Sequence, residues 1–187
     1  MTDTARILGR AFSDDPVFTW LLDGRSGAEE RLTRVFSAFL HGAAGKPEAQ
    51  VLSDPRGRSA SIWLPPGQWK SSYGDLVRTL PRIVSAFGTR TLRSLDVLAR
   101  TERAHPVEPH WYLEAVGVVP ESRGQGIGGA MLTPVLERCD ADGMPAYLES
   151  SNPRNISFYE RHGFVRRALF ALPAGCPVIT PMWRDPR

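Results

Sequence analysis

Along this chain of 187 residues the apolar positions recur either three and four apart or in short alternating and continuous runs. The first spacing marks helices and the second marks strands. Leu32, Val35, Phe36, Phe39 and Leu40 share one stripe, which predicts a helix over 29–45. A helix over 4–12 precedes it and stops before the turn Ser13-Asp14-Asp15-Pro16, and a short helical turn over 17–22 carries Trp20. Strands follow at 49–52 and 59–64, the second halted by Pro65-Pro66-Gly67. Next come helices at 73–87 and 89–103, a strand at 110–118, a helix at 126–141 and a strand at 146–150. A short helix over 154–162 and strands at 165–172 and 178–183 complete the pattern. With no repeats, low-complexity tracts or linkers, we expect one domain spanning 1–187.

Composition changes this picture little. Hydrophobic content of 42% and charged content of 23% are those of an ordinary globular protein. A net charge of +3 suits an anionic small molecule and is too mild to imply nucleic acid. The N-terminal stretch carries Asp3, Asp14 and Asp15 and no continuous apolar run, so neither a signal peptide nor a membrane span is expected, and a cytoplasmic setting is. Cys139 and Cys176 have neither metal-ligand spacing nor a disulfide framework, so free thiols and no metal are expected.

The candidate chemistry starts at Val116-Gly117-Val118-Val119-Pro120-Glu121-Ser122-Arg123-Gly124-Gln125-Gly126-Ile127-Gly128-Gly129-Ala130. An apolar strand ends, a turn follows, and closely spaced glycines open into a helix. Glycines let backbone N–H groups approach an anion with no Cβ in the way, and a helix start adds unpaired N–H groups. The string also matches the dinucleotide fingerprint G-x-G-x-x-G, with Glu149 placed where a ribose would bind. Spacing argues against that reading, because Pro120, Glu121, Ser122 and Arg123 separate the strand from its first glycine and few βαβ units can follow. A nucleoside-triphosphate loop fails because no Gly-Lys-Ser/Thr follows.

Arg123-x-x-Gly126-x-Gly128 resembles the Gln/Arg-x-x-Gly-x-Gly/Ala signature of the GNAT superfamily of acyl-CoA-dependent N-acyltransferases. The later block Tyr147-Leu148-Glu149-Ser150-Ser151-Asn152-Pro153-Arg154-Asn155-Ile156-Ser157-Phe158-Tyr159-Glu160-Arg161-His162-Gly163-Phe164 is similar to its strand, loop and helix. The resemblance implies an α/β (α+β) GNAT fold, a mixed, mostly antiparallel twisted sheet flanked by helices. Two departures are visible. The family's usual first strand is missing or replaced by residues 1–4, which exposes a sheet edge and leaves monomer and homodimer both open. A helical insertion over about 73–103 carries Arg78, Arg82, Arg90, Arg93, Arg100 and Arg103, read as a solvated helix face or as a lid over the acceptor. The subgroup of puromycin N-acetyltransferase has a similar insertion. Ala11-Phe12-x-Asp14-x-Pro16 and Glu108-Pro109-x-Trp111-x-Leu113-x-x-Val116-Gly117-Val118 resemble it too.

The resemblance implies acetyl-CoA as cofactor, a small-molecule amine as acceptor and direct attack without an acyl-enzyme. Residues Arg123, Gly124, Gln125, Gly126, Ile127, Gly128 and Gly129 would cradle the pyrophosphate through their amides. Val116, Gly117 and Val118 would pair with the pantetheine arm where the central strand splays, and a backbone N–H there, that of Val116, would stabilise the oxyanion. Asn155 and Asn152 would contact the arm, although Asn152-Pro153 also reads as a helix-entry turn. Tyr159 matches the general acid, and a core tyrosine is the alternative. Alternation puts His110, Tyr112, Glu114, Val116 and Val118 on one face, which makes Glu114 the first candidate base, Glu149 the second and water a third. His162 reads as a residue favoured by a helix C-terminus, and His41 and His105 have no partner visible in the sequence. A non-catalytic acetyl-CoA sensor and a dinucleotide-dependent oxidoreductase are the remaining function classes.

Overall fold

The computed structural model describes residues 2–70 and 73–187. One sheet holds the strands in the order β1-β2-β3-β4-β6-β5. They are β1 (Gln50–Ser53), β2 (Ser59–Leu64), β3 (Trp111–Val118), β4 (Ala146–Ser150), β5 (Val165–Arg166) and β6 (Thr180–Arg184). Neighbours are antiparallel except β3 and β4, which run parallel. A hairpin cannot join parallel neighbours, so the chain crosses over through α6 (Ile127–Ala130) and α7 (Thr133–Ala141). The other helices are α1 (Thr2–Ala11), α2 (Pro16–Leu22), α3 (Ala28–Ala44), α4 (Tyr73–Phe87), α5 (Thr91–Ala104) and α8 (Ile156–Arg161). No helix among the described residues is long and apolar enough to cross a membrane.

Two apolar layers sandwich the sheet. Leu8, Leu32, Phe36 and Ile62 meet on the α1/α3 side, and Trp63, Leu132, Leu136 and Ile156 meet on the α7/α8 side. β2 is buried at every position, as a strand covered on both faces must be. α1 reaches β3 at Gly117, where a Cβ would lie 2.6 Å from the Ala11 Cβ. That glycine is there for close approach. The chain is helical from Thr2, so no strand replaces the family's first one over residues 2–4, and Met1 lies outside the described residues. Both cysteines are free, and burial pushes the Cys139 thiol up to about 12.

Three expectations give way to backbone chemistry. The helix predicted over 126–141 breaks between Ala130 and Thr133. Pro134 has no N–H with which to continue the ladder, and the Met131 carbonyl instead accepts Ser61 Oγ at 3.0 Å and Trp63 Nε1 at 3.3 Å. The strand predicted over 165–172 shortens to Val165–Arg166. After one more contact, Arg167 N–H to the Pro181 carbonyl at 2.8 Å, the segment turns and packs Phe170 and Leu172 against the α1/α3 layer.

The third concerns β3. Ile62 pairs with Ala115 and Trp63 with Leu113, so Glu114 is the extra residue of a β-bulge. A bulge flips the side-chain alternation beyond it. Tyr112 and Ala115 therefore both pack on the α1/α3 side, while Leu113 and Val116 both pack on the α7/α8 side. The single face expected for Tyr112, Glu114, Val116 and Val118 is corrected accordingly: Val116 and Val118 lie opposite Tyr112.

The insertion is clasped to the body rather than free. Arg31 donates to the Ser85 and Ala86 carbonyls, Arg90 pairs with Asp23, and the Arg93 guanidinium stands 5.6 Å over the Trp20 ring. Gly117→Ala should lower stability by about 1–3 kcal/mol, the usual cost of overpacking, measured by denaturant unfolding. An unchanged midpoint would remove Gly117 as the contact that sets α1 on β3.

Candidate functional site

The site begins where β3 and β4 part. Their parallel pairing covers Trp111–Ala146, Tyr112–Tyr147 and Leu113–Leu148 and stops there. The Trp111 N–H points to the β4 side, donating to the Pro145 carbonyl at 2.9 Å, and alternation sends Leu113 the same way. Without the bulge Ala115 would follow; with it, Val116 and Val118 do. At the far end the Val119 N–H donates to the Arg58 carbonyl at 2.9 Å, on the β2 side, which fixes the same phase independently. The N–H and C=O of Val116 thus face a gap with no strand opposite. Gly117 points its backbone to β2 instead and serves α1 docking.

Below the gap lies the glycine loop. Gly124 and Gly126 hold φ of +77° and +75°, the left-handed region that a Cβ disfavours. A Cβ at Gly128 would press the Phe158 ring at 3.3 Å, and one at Gly129 would press His162 Nε2 at 3.2 Å. Among the described residues, the N–H groups of Gly124, Gln125, Gly126, Ile127 and Gly128 have no acceptor, whereas that of Gly129 donates to the Gly126 carbonyl. Five free amides in succession suit an anion. The Arg123 side chain is not free for one. It grips Asp14 with two bonds of 2.6 and 2.8 Å and donates to the Ala11 carbonyl at 2.9 Å, tying the loop to the end of α1. The Arg123 N–H is not free either, donating to the Pro120 carbonyl at 3.3 Å, so the cradle expected over 123–129 is narrowed to the amides of Gly124 to Gly128.

α8 borders the same gap. Tyr159 is buried beside Phe158 and Phe164, and burial, with the Asp15 charge behind it, holds its phenol well above the usual range. It therefore carries its proton at neutral pH. Asp15 accepts from Val17 and Phe18 N–H and from Ser151 Oγ at 2.5 Å, linking α2 to the β4–α8 loop. Asn152 caps the turn, its Oδ1 accepting the Arg154 N–H at 3.0 Å, so the turn reading describes its oxygen. Asn155 is exposed, with no hydrogen bond to its side chain among the described residues.

On the other side of β3 the bulge puts Glu114 into an acidic and aromatic chamber with Tyr112, Tyr147 and Glu149. Burial, reinforced by the Glu149 charge and opposed by Lys46, raises the Glu114 carboxyl to about 7. Glu114 Oε2, Glu149 Oε1 and the Tyr147 hydroxyl are shut from solvent, and among the described residues none of them makes a hydrogen bond of good geometry. Such orphans are costly unless a ligand completes them. Burial and the carboxylate charges hold both tyrosines protonated. His105 Nδ1 approaches Glu149 Oε1 at 3.3 Å, and His105 Nε2 lies 2.9 Å from His110 Nε2. Trp69 stacks on His105 with centroids 3.8 Å apart. Beside them opens a cavity of about 370 Å³, lined in part by Glu108, Tyr147 and Trp183.

Glu114, Glu149 and Tyr159 are thus brought to the two sides of one parted strand pair, and the loop residues to its mouth. His105 and Trp69 are what the sequence reading missed. His105 is the C-cap of α5, delivered by the insertion, and Trp69 follows β2, so no local spacing connects either with Glu149.

A family model described as the acetyltransferase (GNAT) family matches residues 86–164, from the end of α4 to the turn before β5. An uncharacterised N-acetyltransferase of Schizosaccharomyces pombe is 27% identical over 172 residues, 86% of this chain and 69% of that protein. The crystal structure titled histone acetyltransferase HPA2 and related acetyltransferase, from Corynebacterium glutamicum, shares 26% identity, with a TM-score of 0.71 over 98% of this chain and 90% of the other. A Drosophila melanogaster polyamine N-acetyltransferase, 15% identical, has the same fold at a TM-score of 0.57 over 98% of this chain and 94% of its own. With the family match lying on the residues that carry the parted strands and the glycine loop, the chain has the GNAT fold and is similar to N-acetyltransferases.

Proposed function

We propose that the chain moves an acetyl group from acetyl-CoA to the primary amine of a small molecule by direct attack. The observation that carries this reading is the continuity of two backbone surfaces, the β3 edge (the Val116 N–H and C=O and the Val118 N–H) and the free amides of Gly124 to Gly128. The Val118 carbonyl is taken by Arg123 Nε at 3.3 Å. A ligand with secondary amides at one end and a pyrophosphate at the other fits both, and coenzyme A is such a ligand. Acetyl-CoA supplies, when bound, the activated acetyl carbonyl and a thiol leaving group.

The free amides of the loop would hold the pyrophosphate, the Val116 and Val118 backbone would pair with the arm as an added strand does, and Asn155 would reach it from α8. The Val116 N–H, aimed into the gap, donates to the carbonyl oxygen as that oxygen gains charge. Tyr159, kept protonated by burial, gives its proton to the departing sulfur. Glu114, raised to about 7, takes a proton from the amine, with Glu149 as the second candidate. A base at that value divides its population near neutral pH, where proton transfer in either direction is cheap. For the acceptor, the segments resembling the puromycin N-acetyltransferase subgroup make a puromycin-like aminonucleoside the first candidate. The chamber's unpaired carboxylate oxygens suit any ammonium-bearing acceptor.

Coenzyme thiol release should be followed with acetyl-CoA and puromycin, then with spermidine and agmatine, against a control lacking amine. Release above the control supports the reading. Tight acetyl-CoA binding without release on any amine would favour a sensor instead.

Tyr159→Phe should reduce kcat roughly a hundredfold while leaving acetyl-CoA affinity within about twofold, since one proton donor is removed and no binding group is. Unchanged turnover would take Tyr159 out of the mechanism. Glu114→Gln should lower kcat by a similar factor and erase one limb of the pH profile. In the native protein the acceptor of the proton is the carboxylate, so kcat/KM rises as pH climbs through about 7. A profile that keeps this limb in the variant would pass the role to Glu149 or water.

A further inference from the structure

Acetylation of an amine that arrives as an ammonium leaves one proton over. The N–C bond forms as the C–S bond breaks, and the amide keeps one of the three ammonium hydrogens. One of the other two ends on the thiol sulfur by way of Tyr159, which it replenishes. The last must be held by the protein and then lost to solvent. Glu114 can take it first, but its Oε2 is shut from solvent with no hydrogen-bond partner among the described residues, and the carboxylate feels the charge of Glu149.

The histidine pair beside Glu149 has a proton arrangement that geometry dictates. His110 Nδ1 lies 2.6 Å from the Glu108 carbonyl, which can only accept, so Nδ1 carries the hydrogen. Burial depresses the His110 imidazole to about 4, so it is neutral near pH 7 and its Nε2 has only a lone pair to offer. At 2.9 Å, His105 Nε2 must then be the donor. This leaves His105 Nδ1, 3.3 Å from Glu149 Oε1, as the one position on the pair where a proton can come and go. Neither nitrogen can swing away. The ring is stacked on Trp69 and held edge-on by Tyr112 and Tyr147 at centroid distances of 4.7 and 4.8 Å. The groups facing the pair are those two phenols, Glu149, the Glu108 carbonyl and Trp183, with Arg167 beyond the Trp183 ring. Lys46 bears on Glu114 from the end of α3.

We infer that His105 is a positioning residue that holds the surplus proton of the transfer at Nδ1, shared with Glu149, with His110 fixing the tautomer that makes this possible. The inference rests on the acetyl-transfer reading and adds to it a residue from the insertion. Ala104 and Pro106, which flank His105, line the open cavity together with Glu108 and Tyr147.

The test is a pH series of kcat and KM for His105→Gln with acetyl-CoA and whichever of puromycin, spermidine or agmatine the native protein acetylates. Glutamine keeps a donor toward His110 but cannot take a proton. kcat/KM at pH 7 should fall about tenfold or more, and the deficit should shrink as pH approaches the acceptor's own pKa, where the amine enters neutral and no surplus proton arises. KM for acetyl-CoA should not move. Nitrogen-15 histidine spectra of the native protein should show His110 as the neutral Nδ1–H tautomer, and a His105 titration altered by Glu149→Gln. A deficit constant across pH, or none, overturns the inference while the acetyl-transfer reading stands. A His110 spectrum with Nε2–H at neutral pH overturns it as well. Native protein that acetylates none of the amines overturns the reading itself, and the proton-holding role with it.

Discussion

One extra residue in β3 governs this molecule. A regular strand would keep Ala115 aimed at β4 and leave Val116 bonded to β2. With Glu114 inserted, the phase shifts by one, and the Val116 N–H and C=O swing to the side where β4 has already departed. The same insertion reverses which side chains face which helix layer. Glu114 lands among Tyr112, Tyr147 and Glu149, while Val116 and Val118 turn toward α6 and α8. The backbone proposed for binding and the carboxylate proposed for proton transfer therefore come to different sides of the same strand from a single irregularity. Trp63, fully buried beside the bulge, bonds to the Met131 carbonyl that the broken helix frees, so the crossover is locked to β2.

How much of this could be read from sequence differs by feature. The strand-loop-helix order around Gly124 and Gly126 was legible because left-handed backbone demands glycine, and that demand is local. The stripe Leu32, Val35, Phe36, Leu40 was legible because a helix buried on one face leaves a period in the chain, and α3 (Ala28–Ala44) lies where it was expected. The bulge was not. A single added residue leaves no mark in the alternation of Trp111 to Val118, whose burial alternates without a break even though its packing partners change. The truncation of β5 was hidden for a different reason: Phe170 and Leu172 are apolar because they cap the opposite core layer, and apolarity alone does not say which surface it serves.

The site followed the same division. Tyr159 and Asn155 came with a motif whose spacing is set by one helix. His105 could not come that way, because its partners Glu149, His110 and Trp69 lie on three other segments, and only the docking of α5 brings them together. The insertion read as a cationic face spends Arg90 and Arg93 on α2 and Arg100 on Asp96 and the Ala171 carbonyl. Its most informative residue in structural terms is the histidine at its end.

Arg123 has a further consequence through its bond to Asp14. A guanidinium exposed at the mouth of an anion site would draw polyanions of every kind from a distance, since charges act across a Debye length while backbone dipoles act only at contact. Here the loop's own cation is neutralised by a carboxylate, and what remains to greet an anion is a row of amides that reward close fit alone. On the proposed reading, a chain with net charge +3 would in this way hold a phosphate without becoming a general binder of nucleic acid or anionic surfaces.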